Sequence, residues 1–134
     1  MKRSSFLQEA RQFTIGWRVW FWALSIVNLV MPLIFISRPE AQLTLVAYVI
    51  AATTIVLMHR HMGWVRLLGV GHFPWLVLVP WLILSYLETT PEGVFALWLI
   101  TVITVDLLCL AIDIVDLYRY AAGERAPLVR SAPR

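Results

Sequence analysis

The chain has 134 residues, of which 60% are hydrophobic and only 14% charged, with a mean hydropathy of +0.78 and a formal net charge of +3. Soluble domains carry about 25% charged and about 45–50% apolar residues. The composition therefore excludes disorder, a nucleic-acid-binding tail and a conventional water-soluble enzyme, and makes the bilayer the expected solvent.

Seven Trp strengthen that reading, since Trp collects at membrane–water interfaces. A single Cys, Cys109, leaves no intrachain disulfide and no thiolate cluster.

In chain order, Phe6, Ala10, Phe13 and Trp17 recur at helical spacing, and Ser5 with Gln8 fits a capping box. Residues 1–14 are expected to form an amphipathic helix at the interface. Met1-Lys2-Arg3 has the look of a signal-peptide start. The apolar run Val19–Ser37 is too long for an h-region of about 7–15 residues, and no small-x-small cleavage site follows, so it reads as a retained span.

A spanning helix needs about 20 mostly apolar residues. Four segments qualify, about 16–37, 40–58, 67–87 and 94–117, within a four-helix transmembrane domain over 15–118. The fold class expected is an all-α integral membrane protein, a bundle whose short loops make sequential helices antiparallel neighbours. Pro39 and Pro91 fall where helices should break. The third span is irregular, with Gly69, Gly71, Pro74 and Pro80, and its first part is expected to lie along the interface. Residues 119–134 form a basic tail.

Lys2, Arg3, Arg11, Arg18, Arg60, Arg66, Arg119, Arg125, Arg130 and Arg134 fall on one side of the spans, against Arg38 alone on the other, where Glu40, Glu88 and Glu92 lie. The positive-inside rule then puts both termini in the cytoplasm. Arg outnumbers Lys ten to one, a bias common in GC-rich bacterial genomes, so a multi-pass protein of a bacterial inner membrane is expected. Expected partners are the lipid bilayer, with its anionic head groups, and a second copy or a larger membrane complex; nucleic acid is not expected.

Span four carries the anomaly. An Asp at the centre of a membrane helix costs about 2.5–3.5 kcal/mol on insertion scales. Asp106 sits near the middle, Asp113 two turns nearer the cytoplasm and Asp116 at the inner interface. Asp106, Cys109, Asp113, Asp116 and Tyr120 fall within about 80° of arc, and Leu99 and Val102 extend the stripe outward. Such a stripe should face helices, not lipid. In span one, Arg18, Phe21, Ser25, Asn28 and Pro32 repeat the same spacing in the opposite direction. Antiparallel packing would set Asn28 level with Asp106 and Arg18 level with Asp113 and Asp116, counting about 1.5 Å per residue. His59, His61 and His72 join them at the cytoplasmic mouth, with His59 on the face of Ile55, Ala52 and Tyr48.

Each feature has a plainer alternative. Asp113, Asp116 and Arg119 can pair near the interface, His59 and His61 can belong to a solvated loop end, and His72 can cap a broken helix. Asn28 can be interhelical glue, Cys109 a packing residue, and Trp17, Trp20 and Trp22 interfacial anchors. Asp106 is the residue the structural alternatives explain least.

The candidate ligand or ion site is therefore Asp106, Asp113, Asp116, Asn28, Arg18, His59, His72 and Tyr120, with no catalytic residue assigned. The leading function is binding or conducting a proton, ion or small polar ligand. The alternative is an accessory or scaffolding subunit of a membrane complex. A membrane-embedded enzyme using a His/Asp cluster comes third. Two His and two Asp can hold a divalent metal, but His59 and His61 stand about 200° apart on a helix. No HExxH, P-loop or nucleophile elbow is present, so the sequence names no metal or cofactor. The stretches 66–75 and 113–125 look motif-like without an evident chemistry.

Overall fold

The computed structural model describes residues 6–129, and all regular structure among them is helical. In order these are α1 (Phe6–Ala10), α2 (Ile15–Ile34), α3 (Pro39–Met62), a 3₁₀ segment (Arg66–His72), α4 (Trp75–Thr89) and α5 (Gly93–Ala121). α2, α3 and α5 are long and apolar enough to cross a membrane. The 3₁₀ segment and α4 meet at a 45° bend and make a fourth span when taken together. The chain is thus an all-helical protein with three to four candidate membrane spans. Its outward faces carry exposed Trp22, Val77, Leu84, Leu97 and Ile114.

The helix ends follow local chemistry. Pro39 opens α3 rather than ending a helix, because a helix's first residue needs no N–H partner. α3 runs on to Met62, past the expected end near 58, and stops where Gly63 takes φ +70° and donates its N–H to the His59 carbonyl. α4 ends at Thr90, whose φ is also positive, just before Pro91. The bend lies at Phe73-Pro74, where the 3₁₀ segment gives way to α4 although both residues keep right-handed helical dihedrals. α2 ends at Ile34, short of the expected 37, and passes into a turn in which Arg38 N–H donates to the Phe35 carbonyl.

α2 is not a uniform helix. Ile26–Val30 is π-helical, about one wide turn. The wider turn puts Leu24, Asn28 and Pro32 on one face at four-residue spacing, and all three are buried. The indole of Trp98 on α5 donates to the Val27 carbonyl within this turn, at 3.1 Å.

Two cores result. The larger joins α2, α3, α4 and α5 around Trp75, Val79, Leu82, Leu99 and Val102. The smaller sits at the end of the bundle that carries α1 and the C-terminal segment, around Trp64, Val65, Leu68 and Val129. There α1 is five residues long, shorter than the helix expected over 1–14, and the chain turns after it. Phe6 and Phe13 pack on Trp64 with ring centroids 4.6 and 5.0 Å away. Residues 1–5, including Ser5 of the expected capping box, lie outside the described residues, as do Arg130 and Arg134. The tail folds back: Leu128 N–H donates to the Trp64 carbonyl at 2.7 Å, and Val129 is buried.

Candidate functional site

The acidic stripe of α5 faces the bundle. Leu99, Val102, Asp106, Cys109 and Asp113 are all buried, and Asp116 is half-buried. A helix face of this kind turns inward because its apolar members pack and its polar ones find partners on neighbouring helices. Each acid has a different partner.

Asp106 and Asn28 are both fully buried, and Asn28 Nδ2 donates to Asp106 Oδ1 at 2.8 Å. Asn28 Oδ1 and Asp106 Oδ2 have no hydrogen-bond partner among the described residues. The π turn of α2 brings Asn28 to this position.

One turn along α5, Cys109 is 3% exposed. A further turn on, Asp113 Oδ2 lies 2.7 Å from His72 Nδ1, which carries the proton when the carboxylate is ionised. Cys109 Sγ completes a triangle, 3.7 Å from that nitrogen and 3.9 Å from that oxygen. The imidazole of His72 stacks on buried Trp75 at 4.4 Å and 6°, which fixes its plane. The 3₁₀ segment packs closely against α3 and α5 because Gly69 and Gly71 have no side chain. A Cβ on Gly69 would lie 2.7 Å from Asp113 Oδ1, and one on Gly71 would run into Ile55.

At the end of the stripe Asp116 Oδ1 accepts from Arg66 Nη1 at 2.6 Å. Arg66 also reaches Glu124, which Arg119 holds at 2.8 Å. Hydrogen bonding from Arg119 keeps the Glu124 carboxyl below the usual glutamate range.

A cleft of about 460 Å³ opens at this end of the bundle. Trp17, Trp20, Phe21 and Trp64 line its walls; His72, Cys109 and Asp113 form its polar floor; Arg66, Asp116 and Arg119 stand along its side. Pockets that take small ligands have this size and this make-up of apolar walls with a few convergent polar groups.

Three expected members do not join the group. Arg18 is exposed and forms no ion pair with another described residue. The buried face of α2 passes through Leu24, and six residues at about 100° each put Arg18 about 120° away from it. Tyr120 packs in the aromatic cluster around Trp64, with the Arg125 guanidinium 5.2 Å over its ring. His59 lies inside α3 rather than at a solvated loop end. It is 8% exposed, with Nε2 2.7 Å from Glu9 Oε2 and its ring beside Phe6 and Trp64. His61 is exposed.

Sequence reasoning missed Arg66 and Glu9 as partners of Asp116 and His59, and Trp75 as the support of His72. The signal for Gly69 and Gly71 was present in their spacing within an apolar stretch. A third buried acid, beside Asp106 and Asp113, was missed as well: Glu40 is 4% exposed, with Oε1 accepting from Ser85 Oγ at 2.6 Å and Oε2 unpartnered among the described residues.

Compared with known proteins, the chain matches no family model, no curated protein and no solved structure. What defines its class is its own architecture: an all-helical chain with three to four helices long and apolar enough to cross a membrane, and a polar cleft at one end of them.

Proposed function

We propose that this protein binds a small ion or polar ligand in the cleft whose floor is His72, Cys109 and Asp113. The observation that carries the reading is the convergence of these three groups on an aromatic-walled cavity of about 460 Å³. Binding is favoured over conduction because the next polar pair along α5, Asn28 and Asp106, is fully buried and is not part of the cleft lining.

The bent pair of the 3₁₀ segment and α4 serves as the fourth span in this reading, and both termini face the cytoplasm of a bacterial inner membrane. The basic residues support that orientation: Arg11, Arg18, Arg60, Arg66, Arg119 and Arg125 accompany the cleft end, whereas Arg38 alone accompanies Glu88 and Glu92 at the other. The cleft then opens toward the cytoplasm.

Native mass spectrometry of protein released from its own membranes tests the reading. A non-lipid adduct is expected on the wild type and is lost when Ile112→Trp fills the cleft. An adduct that survives the filled cleft, or none on the wild type, overturns it. A second protein in fixed stoichiometry, with no small adduct, would favour an accessory subunit instead.

A further inference from the structure

We propose that His72, Cys109 and Asp113 are a three-ligand site for a borderline-soft divalent cation of the Zn²⁺ class, with its fourth position open to the cleft. This names the ligand within the binding function proposed above and rests on it.

The three ligand atoms, a ring nitrogen, a sulfur and a carboxylate oxygen, lie within 4.8 Å of one another. A tetrahedral ion bonded at about 2.0–2.3 Å sets its ligand atoms about 3.3–3.6 Å apart. Two edges of the triangle, 3.7 and 3.9 Å, are already close to that. The third, 2.7 Å from His72 Nδ1 to Asp113 Oδ2, is a hydrogen bond. An ion entering the triangle displaces two protons to solvent, the one in that bond and the one on the Cys109 thiol, and the edge widens by about 0.6 Å to the tetrahedral value.

The surroundings favour such an ion. Trp75 holds the imidazole plane, so the nitrogen needs no search for its orientation. Glycine at 69 leaves the space in which the Asp113 carboxylate sits. Cys109 and Asp113 are four residues apart on one helix, a spacing that stacks side chains on one face. Asp116 is occupied by Arg66, which leaves Asp113 as the acid facing the cleft floor. The donor set decides the class of ion. A thiolate disfavours the hard ions Mg²⁺ and Ca²⁺, which take oxygen ligands. Three protein ligands beside a cavity match the open form of zinc site, which keeps a position for water or another ligand, rather than the closed four-ligand form.

The test uses the full chain in detergent or nanodiscs, with Co²⁺ as a spectroscopic stand-in for Zn²⁺. One Co²⁺ per chain is expected, with tetrahedral visible bands and a thiolate-to-cobalt band in the near ultraviolet, both displaced by Zn²⁺. Cys109→Ser should abolish the thiolate band, and Asp113→Asn and His72→Gln should each weaken binding by more than about 100-fold, beyond the usual effect of altering a residue that only supports a ligand. Trp75→Leu should weaken it about 10-fold while keeping the thiolate band. His61→Ala, an exposed histidine, should change nothing. Helical circular dichroism and gel filtration identify any variant that fails to fold, and Cys109→Ala, which keeps a small apolar side chain, then replaces Cys109→Ser. Absence of Co²⁺ uptake by folded wild type, or uptake indifferent to both Cys109 variants, overturns the site. If the cleft-dependent adduct persists while metal uptake fails, only the metal assignment falls; if both fail, the binding function falls with it.

Discussion

The acids in the dry part of the bundle and those at its cleft end are satisfied by different kinds of partner. Asp106 and Glu40, buried among helices, accept from neutral groups, the Asn28 amide and the Ser85 hydroxyl, and each keeps one oxygen without a partner among the described residues. Glu9, Asp113 and Asp116, which border the cleft end, face His59, His72 and Arg66. The difference follows from solvation. A full ion pair in a low-dielectric interior must offset the desolvation of two charges, whereas a neutral donor brings no second charge to desolvate. Near water a second charge is cheap to keep, and partners able to carry one are admitted, a guanidinium at Asp116 and imidazoles at Glu9 and Asp113.

That comparison can be broken most sharply at Asn28. Asn28→Leu leaves the Asp106 carboxyl buried without its donor and should cost about 1–3 kcal/mol of stability. Adding Asp106→Leu should restore most of the loss, because removing both partners leaves no orphaned group. Chemical denaturation in mixed micelles measures both, and a double variant no more stable than Asn28→Leu alone would mean that the pair is not coupled.

At the cleft end the effects should be smaller and sensitive to salt. Arg66→Met removes the partner of half-buried Asp116 and should cost about 0.2–1 kcal/mol, as partly exposed ion pairs do. The difference from wild type should shrink as salt rises, whereas that of Asn28→Leu should not change. Equal salt dependence of the two would erase the distinction between the regions.

The smallest effect concerns the exposed Arg119–Glu124 contact beyond the end of α5. The Glu124 carboxyl is held below its ordinary range by Arg119, so its contribution is complete above that range and is lost as pH falls through it. The amide protection of residues 122–129, taken relative to the intrinsic exchange rate at each pH, should therefore fall at acidic pH, and Glu124→Gln should remove that fall.

Much of the fold was legible because its signals are local. An apolar run of bilayer length and a proline at a helix boundary each act within a few residues. The α5 stripe was legible for the same reason: one helix's periodicity decides which of its residues share a face, and Leu99, Val102, Asp106, Cys109 and Asp113 do share a buried one. Extrapolating across span one failed at Arg18, because regular helical spacing foretells neither which face of a helix will be buried nor the π turn that sets Asn28 among the buried residues. The burial of His59, against the alternative of a solvated loop end, was not legible because its partner, Glu9, is fifty positions away.

By itself the sequence determined the all-helical class, the approximate bounds of its long apolar helices and the acid-bearing face of α5, since these depend on hydrophobicity and helical period. The register of spans one and four also anticipated Asn28 beside Asp106, whereas only the tertiary structure decided the partners of Asp113 and Asp116 and where the cleft opens. Those depend on a widened turn, two glycines that let a 3₁₀ segment approach α5 and α3, and an indole that fixes one imidazole. Each is a contact between residues far apart in the chain, and a one-dimensional pattern carries no distance between them.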